Sequence, residues 1–110
     1  MTKKSIIEQK ITVLLKNKSI LITGGAGSIG SALTKKILQY PVKSVRLLDI
    51  NEHSLFKLKR EINDKRVRYL LGNILNRDRI EMASLDIDII IHCAVVHEFS
   101  KKKNLHNYID

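Results

Sequence analysis

Three glycines at intervals of three, Gly24, Gly27 and Gly30, stand in the run Thr23-Gly24-Gly25-Ala26-Gly27-Ser28-Ile29-Gly30. The missing Cβ serves a different end at each. At Gly24 the chain can leave a strand in a tight turn, at Gly27 a pyrophosphate can approach the backbone, and at Gly30 a helix can pack close to a sheet. The N–H groups of Ser28 and Ile29 then open that helix, where the helix dipole favours phosphate. Asp49 follows nineteen residues after Gly30, the separation at which an acid can accept hydrogen bonds from adenosine ribose hydroxyls. The chemistry these residues suit is binding of a dinucleotide by its ADP half. An acid at 49 repels a 2′-phosphate, and no arginine stands at 50 or 51, so NAD is expected over NADP. Arg46 is expected to face the wrong end of its strand to reverse that preference.

Other reactive side chains are weaker candidates. His92 and His97, with Cys93 and Glu98 beside them, have no recognised zinc spacing, and no metal site is expected. Cys93 follows an apolar strand and reads as a buried packing residue rather than a nucleophile. Asp86 and Asp88 precede the same strand as turn and cap residues. His53 and His106 are expected in solvent.

The glycine turn needs a strand before it and a helix after it, and the chain supplies both. Residues 19–23 form a short buried strand, and Ser28 to Tyr40 carries Ile29, Ala32, Leu33 and Ile37 at helical spacing, with Pro41 as the stop. Residues 44–48 make a second strand closed by Asp49, and Asn51 caps a helix to Ile62 with Leu55, Leu58 and Ile62 inward. Val67–Leu71 is a third strand and Arg77–Ala83 a short helix. Asp88–Cys93, with three successive isoleucines, reads as a fourth strand buried on both faces. Leu105, Tyr108 and Ile109 suggest the start of a further helix. Ahead of all this, residues 5–16 place Ile7, Ile11, Leu14 and Leu15 on one helical face, which is expected to dock on the domain. The alternation predicts an α/β, Rossmann-type three-layer fold with a truncated parallel sheet of about four strands in the order 3-2-1-4. Residues 1–17 are then an N-terminal helix and 18–110 an incomplete NAD(P)-binding half-domain. Strand four would end as an open edge, inviting self-association or a partner chain.

Composition excludes several classes. Twenty Lys and Arg against eleven Asp and Glu give a net charge of +9, but the cations are scattered over many segments and only five aromatic residues are present. That distribution argues against a nucleic-acid interface. The longest apolar stretch, Ile87 to Val96, is broken by Asp88 and His92 and is too short to span a bilayer. Glu8, Gln9 and Lys10 interrupt any signal-peptide core. A single cysteine excludes an internal disulfide and suits a reducing cytosol. A cytoplasmic protein is expected.

Taken together, these residues resemble the extended branch of the short-chain dehydrogenase/reductase superfamily, which carries Thr-Gly-x-x-Gly-x-x-Gly. Within it the chain is similar to the polysaccharide-biosynthesis (CapD-type) nucleotide-sugar 4,6-dehydratases and epimerases. That subgroup has serine where most extended members have an aromatic, as at Ser28 in Gly27-Ser28-Ile29-Gly30-Ser31-Ala32-Leu33. Leu47-Leu48-Asp49, followed by a Glu and a helix, matches as well. Gly72-Asn73-Ile74 is similar to a Gly-Asp-hydrophobic motif, and the resemblance implies that residue 73 accepts a bond from the adenine amino group while Ile74 covers the ring. Asn73 stands in place of the acid. His92-Cys93-Ala94-Val95 is similar to a His-Ala-Ala-Ala run, which implies that Cys93, Ala94 and Val95 line the cofactor. A Lys-His pair often follows in the subgroup, but His97 and Glu98 stand here, so no substrate role is carried over.

The resemblance implies a UDP- or dTDP-sugar as substrate of a complete protein. Its C4 hydroxyl would be oxidised by hydride transfer, water eliminated across C5–C6, and the hydride returned. The family's Tyr-x-x-x-Lys is expected beyond residue 110, since Tyr40 is followed four residues later by Ser44 and Tyr69 by Asn73. No catalytic residue is therefore assigned, and the chain alone is expected to be inactive. The alternative is a non-catalytic NAD-binding module, or a split subunit that docks with a separate catalytic chain.

Overall fold

The computed structural model describes residues 2–94. Val95, His97, Glu98, His106 and the expected helix around Leu105, Tyr108 and Ile109 lie outside the described residues. Four parallel strands, β1 (Ser19–Thr23), β2 (Ser44–Asp49), β3 (Val67–Leu71) and β4 (Ile89–His92), form one sheet in the order β3-β2-β1-β4. Thr23 pairs with Leu48 on one side and His92 on the other, and Asp49 pairs with Leu71. All four strands therefore stop at one edge of the sheet, and the loops that follow them share that edge.

Alternation along the strands divides the core into two layers. Ile20, Ile22, Val45, Leu47 and Val67 pack with Ile37 of α2 (Ser28–Ile37) and with Leu55 and Leu58 of α3 (Glu52–Glu61). Leu21 and Leu48 point the other way, against Ala83 of the short helix α4 (Arg77–Ala83). Asn51 and Asn76 start α3 and α4 by accepting the N–H of Ser54 and Arg79 at 3.0 and 3.1 Å; a cap of this kind is worth about 1 kcal/mol. α2 ends at Ile37, earlier than the stop at Pro41 implies, because residues 38–40 turn down towards β2. There the Arg66 guanidinium holds the Leu38 and Tyr40 carbonyls at 2.7 and 3.0 Å.

Two expectations need correction. The N-terminal helix α1 (Lys3–Leu15) forms, but it docks only by its last turns. Leu15 is buried and Ile11 packs beside it, whereas Ile7 and Leu14 are 50% and 61% exposed. The stripe was broad enough to suggest full docking, yet Asn17, at φ 59°, aims the helix so that only its end meets the core. β4 was expected to be buried on both faces. Ile89 and Ile91 are half-buried and Ile90 is 56% exposed, because β4 is the outermost strand of the sheet among the described residues.

Candidate functional site

The loops after the four strands enclose a cleft of about 560 Å³ at the carboxyl edge of the sheet, the edge at which open α/β sheets place ligands. Gly24, Gly27, Ser28, Ile29 and Gly30 form one wall, Asp49 and Ile50 the back, Asn73 and Ile74 a second wall, and Cys93 and Ala94 the side next to β4. The residues singled out from the sequence thus come together, except Val95, which lies outside the described residues. Ile50, Asn51, Ser54, Gly72 and Leu75 also line the cleft. Asn51 and Ser54 carried a usable signal: a helix cap directly after Asp49, and the residue one turn later on the same face.

The glycines of the turn are not equivalent. Gly24 has φ +71°, and a Cβ there would stand 2.7 Å from the backbone of Ala94, so both conformation and space require glycine. A Cβ on Gly30 would run into the Gly24 carbonyl and lie 2.8 Å from Gly25 Cα. The close contact that Gly30 permits is thus between α2 and the turn itself. Gly25, outside the three-residue spacing, would press a Cβ to 2.9 Å from Leu47 Cδ2. Gly27 differs from all of these. Its φ of −73° and ψ of 176° suit any residue, and a Cβ would meet only the Gly24 oxygen among the described residues, at 3.5 Å.

Gly27 is also the N-cap of α2, with no side chain closing the helix start. The first helical bond runs from Ser31 N–H to Gly27 O at 2.8 Å, so the N–H groups of residues 28–30 have no acceptor within the helix. Ile29 is 76% exposed beside them.

Opposite this donor cluster, Asp49 Oδ2 accepts the Ala26 N–H at 3.0 Å and Oδ1 the Asn51 N–H at 2.9 Å. Asn73 Oδ1 accepts the Leu75 N–H at 2.9 Å, which folds the loop after β3 into a local turn. Ile74 is half-buried against the α4 layer of the core. Cys93, expected to be buried, is half-buried and forms part of the cleft wall. Thr23, buried at the end of β1, is bonded to His92 Nδ1 at 2.6 Å, so this histidine is tied to the sheet rather than aimed into the cleft. Arg46 sends its guanidinium to the Ala83 and Leu85 carbonyls at 2.9 and 2.6 Å. It caps α4 and stays away from Asp49, as its place on the strand suggested. His53 is exposed on α3.

Known proteins are similar to this chain in sequence and in fold. The chain is 40% identical over 88 residues to an uncharacterized membrane protein of Methanocaldococcus jannaschii, covering 80% of the chain and 26% of that protein. Among the described residues no helix is long and apolar enough to cross a membrane. The chain is 32% identical over 84 residues to the UDP-N-acetylglucosamine 4,6-dehydratase (inverting) of Campylobacter jejuni serotype O:23/36, covering 76% of the chain and 25% of the enzyme. The structure of dTDP-glucose 4,6-dehydratase from Bacillus anthracis, in complex with NAD, superposes with a TM-score of 0.62 at 28% identity, over 74% of the chain and 28% of that enzyme. The chain spans about a quarter of the length of these relatives. The model of a family described as polysaccharide biosynthesis protein matches residues 20–105. With the strand order, the glycine turn and the acid after β2 all in place, the chain belongs to this polysaccharide biosynthesis family of extended short-chain dehydrogenase/reductase proteins.

Proposed function

We propose that the cleft holds the ADP half of NAD, as the N-terminal, cofactor-binding part of a nucleotide-sugar dehydratase or epimerase. The observation that carries this reading is Gly27. Neither its backbone conformation nor any described neighbour requires a glycine there, whereas an incoming pyrophosphate would, since a Cβ would occupy its line of approach. The N–H groups of Ser28 and Ile29 would bind the phosphates with the help of the helix dipole. Asp49 would accept from the ribose hydroxyls with the lone pairs its two backbone bonds leave free. Asn73 would accept from the adenine amino group by its second lone pair, and Ile74 would cover the ring. Cys93, Ala94 and Val95 would close the β4 side. The negative charge of Asp49 disfavours a 2′-phosphate, which makes NAD the preferred cofactor over NADP.

When bound, NAD supplies a hydride acceptor that later returns the hydride. The residues of this chain bind and orient it, and none of them is placed as an acid or base. The dehydratases among the relatives favour a UDP- or dTDP-sugar as substrate, held by parts of a longer protein or by a partner chain. The outer edge of β4, the last strand of the sheet among the described residues, is where further sheet, or a second copy, would join. A cytoplasmic location agrees with the redox chemistry and the composition.

Calorimetry with ADP and NAD tests the reading on wild type and Gly27→Val. Wild type binds both, and the variant loses at least about tenfold in affinity with an unchanged circular dichroism spectrum. Equal affinity in the two proteins removes the glycine turn from the site. Competition between AMP and 2′,5′-ADP decides the cofactor, and tighter binding of 2′,5′-ADP overturns the preference for NAD.

A further inference from the structure

The four N–H groups of the turn, residues 24–27, all have acceptors. Gly24 and Gly25 donate to the Leu48 carbonyl at 2.7 and 3.4 Å, and Gly27 to the Gly24 carbonyl at 3.2 Å. Ala26 donates to Asp49 Oδ2 at 3.0 Å, so one side chain completes the set. The same carboxylate takes the Asn51 N–H on Oδ1 at 2.9 Å, at the cap of α3. Asp49 therefore links the turn that opens α2 to the residue that opens α3, across 23 residues of sequence.

From this we infer that Asp49 is a positioning residue for the phosphate-binding turn, separately from any bond it makes to a ribose. The inference rests on the nucleotide reading given above and deepens it. Ala26 is half-buried, with its methyl packed against the core. If the carboxylate is lost, the Ala26 N–H must stay unpaired or rotate its peptide towards water. The rotation would move Gly27, the next residue, and with it the start of α2. Two N–H donors also offset part of the carboxylate's charge, so that an acid can stand beside a pyrophosphate site. One consequence concerns cofactor choice. Replacing Asp49 by arginine to admit a 2′-phosphate removes the brace with the acid, so the NADP-to-NAD affinity ratio rises while both affinities fall.

Affinities of ADP and 2′,3′-dideoxy-ADP for wild type and Asp49→Ala separate the brace from ribose binding. The dideoxy nucleotide has no ribose hydroxyl for Asp49 to contact. With the brace, Asp49→Ala loses about tenfold in affinity for the dideoxy probe as well as for ADP. An unchanged affinity for the dideoxy probe overturns the inference. A ligand-free readout is the Ala26 amide. Its hydrogen exchange is slowed in wild type by the bond to Asp49 and accelerates at least about tenfold in Asp49→Ala. An Ala26 amide that exchanges in wild type as fast as an unprotected amide overturns the brace, even where the variant fails to fold. Failure of wild type to bind ADP overturns the proposed function instead, and the Ala26 amide still decides the brace.

Discussion

The two ends of the sheet are built from similar polar residues put to opposite use. At the amino end, polar groups satisfy one another. Asp88 Oδ2 accepts the Ser19 N–H at 2.8 Å, the Ser44 hydroxyl donates to that of Ser19 at 2.9 Å, and Arg66 joins Asp64 to the carbonyls at the end of α2. At the carboxyl end, the Asp49 carboxylate has two backbone partners and spare lone pairs, while the first N–H groups of α2 have no acceptor within the helix. One end is closed by side chains from distant segments. The other is closed on its core side only and faces a cleft. Polar groups at the first end should therefore govern stability, and those at the second should govern binding.

The largest expected effect tests the comparison within the carboxyl end. Gly30→Ala drives a Cβ into the Gly24 carbonyl and should cost about 3 kcal/mol of stability. Gly27→Ala should stay within about 0.5 kcal/mol of wild type, since its Cβ would make only an ordinary contact with the Gly24 oxygen, at 3.5 Å. Urea denaturation of both variants checks this, and similar losses would mean that the two glycines are not divided between folding and binding.

A smaller effect is expected at the amino end. Arg66→Ala loses bonds to Leu38, Tyr40 and Asp64 and should lower stability by about 2 kcal/mol, with ADP affinity unchanged. A parallel fall in affinity would show that the two ends are coupled.

The smallest effect is on pH dependence. The Asp64 carboxyl is held below its ordinary value of 3.8, first by the hydrogen bond from the Arg66 side chain and then by that from the Arg66 backbone N–H. A carboxyl whose pKa is depressed on folding contributes stability above its unfolded value and loses it as pH falls through the folded one. Asp64→Asn should therefore be less stable than wild type by under about 1 kcal/mol near neutrality, with the difference vanishing in acid. Denaturation at about pH 6 and about pH 2.5 measures it, and a gap that persists in acid assigns the effect to packing.

Much of the site was legible because it is local. Gly24, Gly27 and Gly30 act through their own backbone, and Asp49 closes its strand at a set distance from them, so type and spacing located them. Asn51 caps its helix three residues ahead, which is also local chemistry. The need for glycine at 25 is not local, because its constraint is the Leu47 side chain on the neighbouring strand, which no spacing within the turn reveals. The long reaches of Arg46 and Arg66 were hidden for the same reason.

The amino-acid sequence by itself determined the alternation of strand and helix, the strand order, and the residues that gather at the carboxyl edge. Periodicity, capping and handed crossovers are properties of short segments and of chain chirality. Tertiary structure alone decided how buried each apolar run became. Ser-Ile-Leu-Ile-Thr of β1 and the three isoleucines of β4 are alike in composition, yet every residue of β1 is buried while Ile90 is more than half exposed. The difference lies in place: among the described residues β1 has strands on both sides, and β4 on one only. In the same way, the Ile11–Leu15 end of α1 meets the core while Ile7 does not. Burial depends on which neighbours the fold brings up, and a residue's own segment does not contain them.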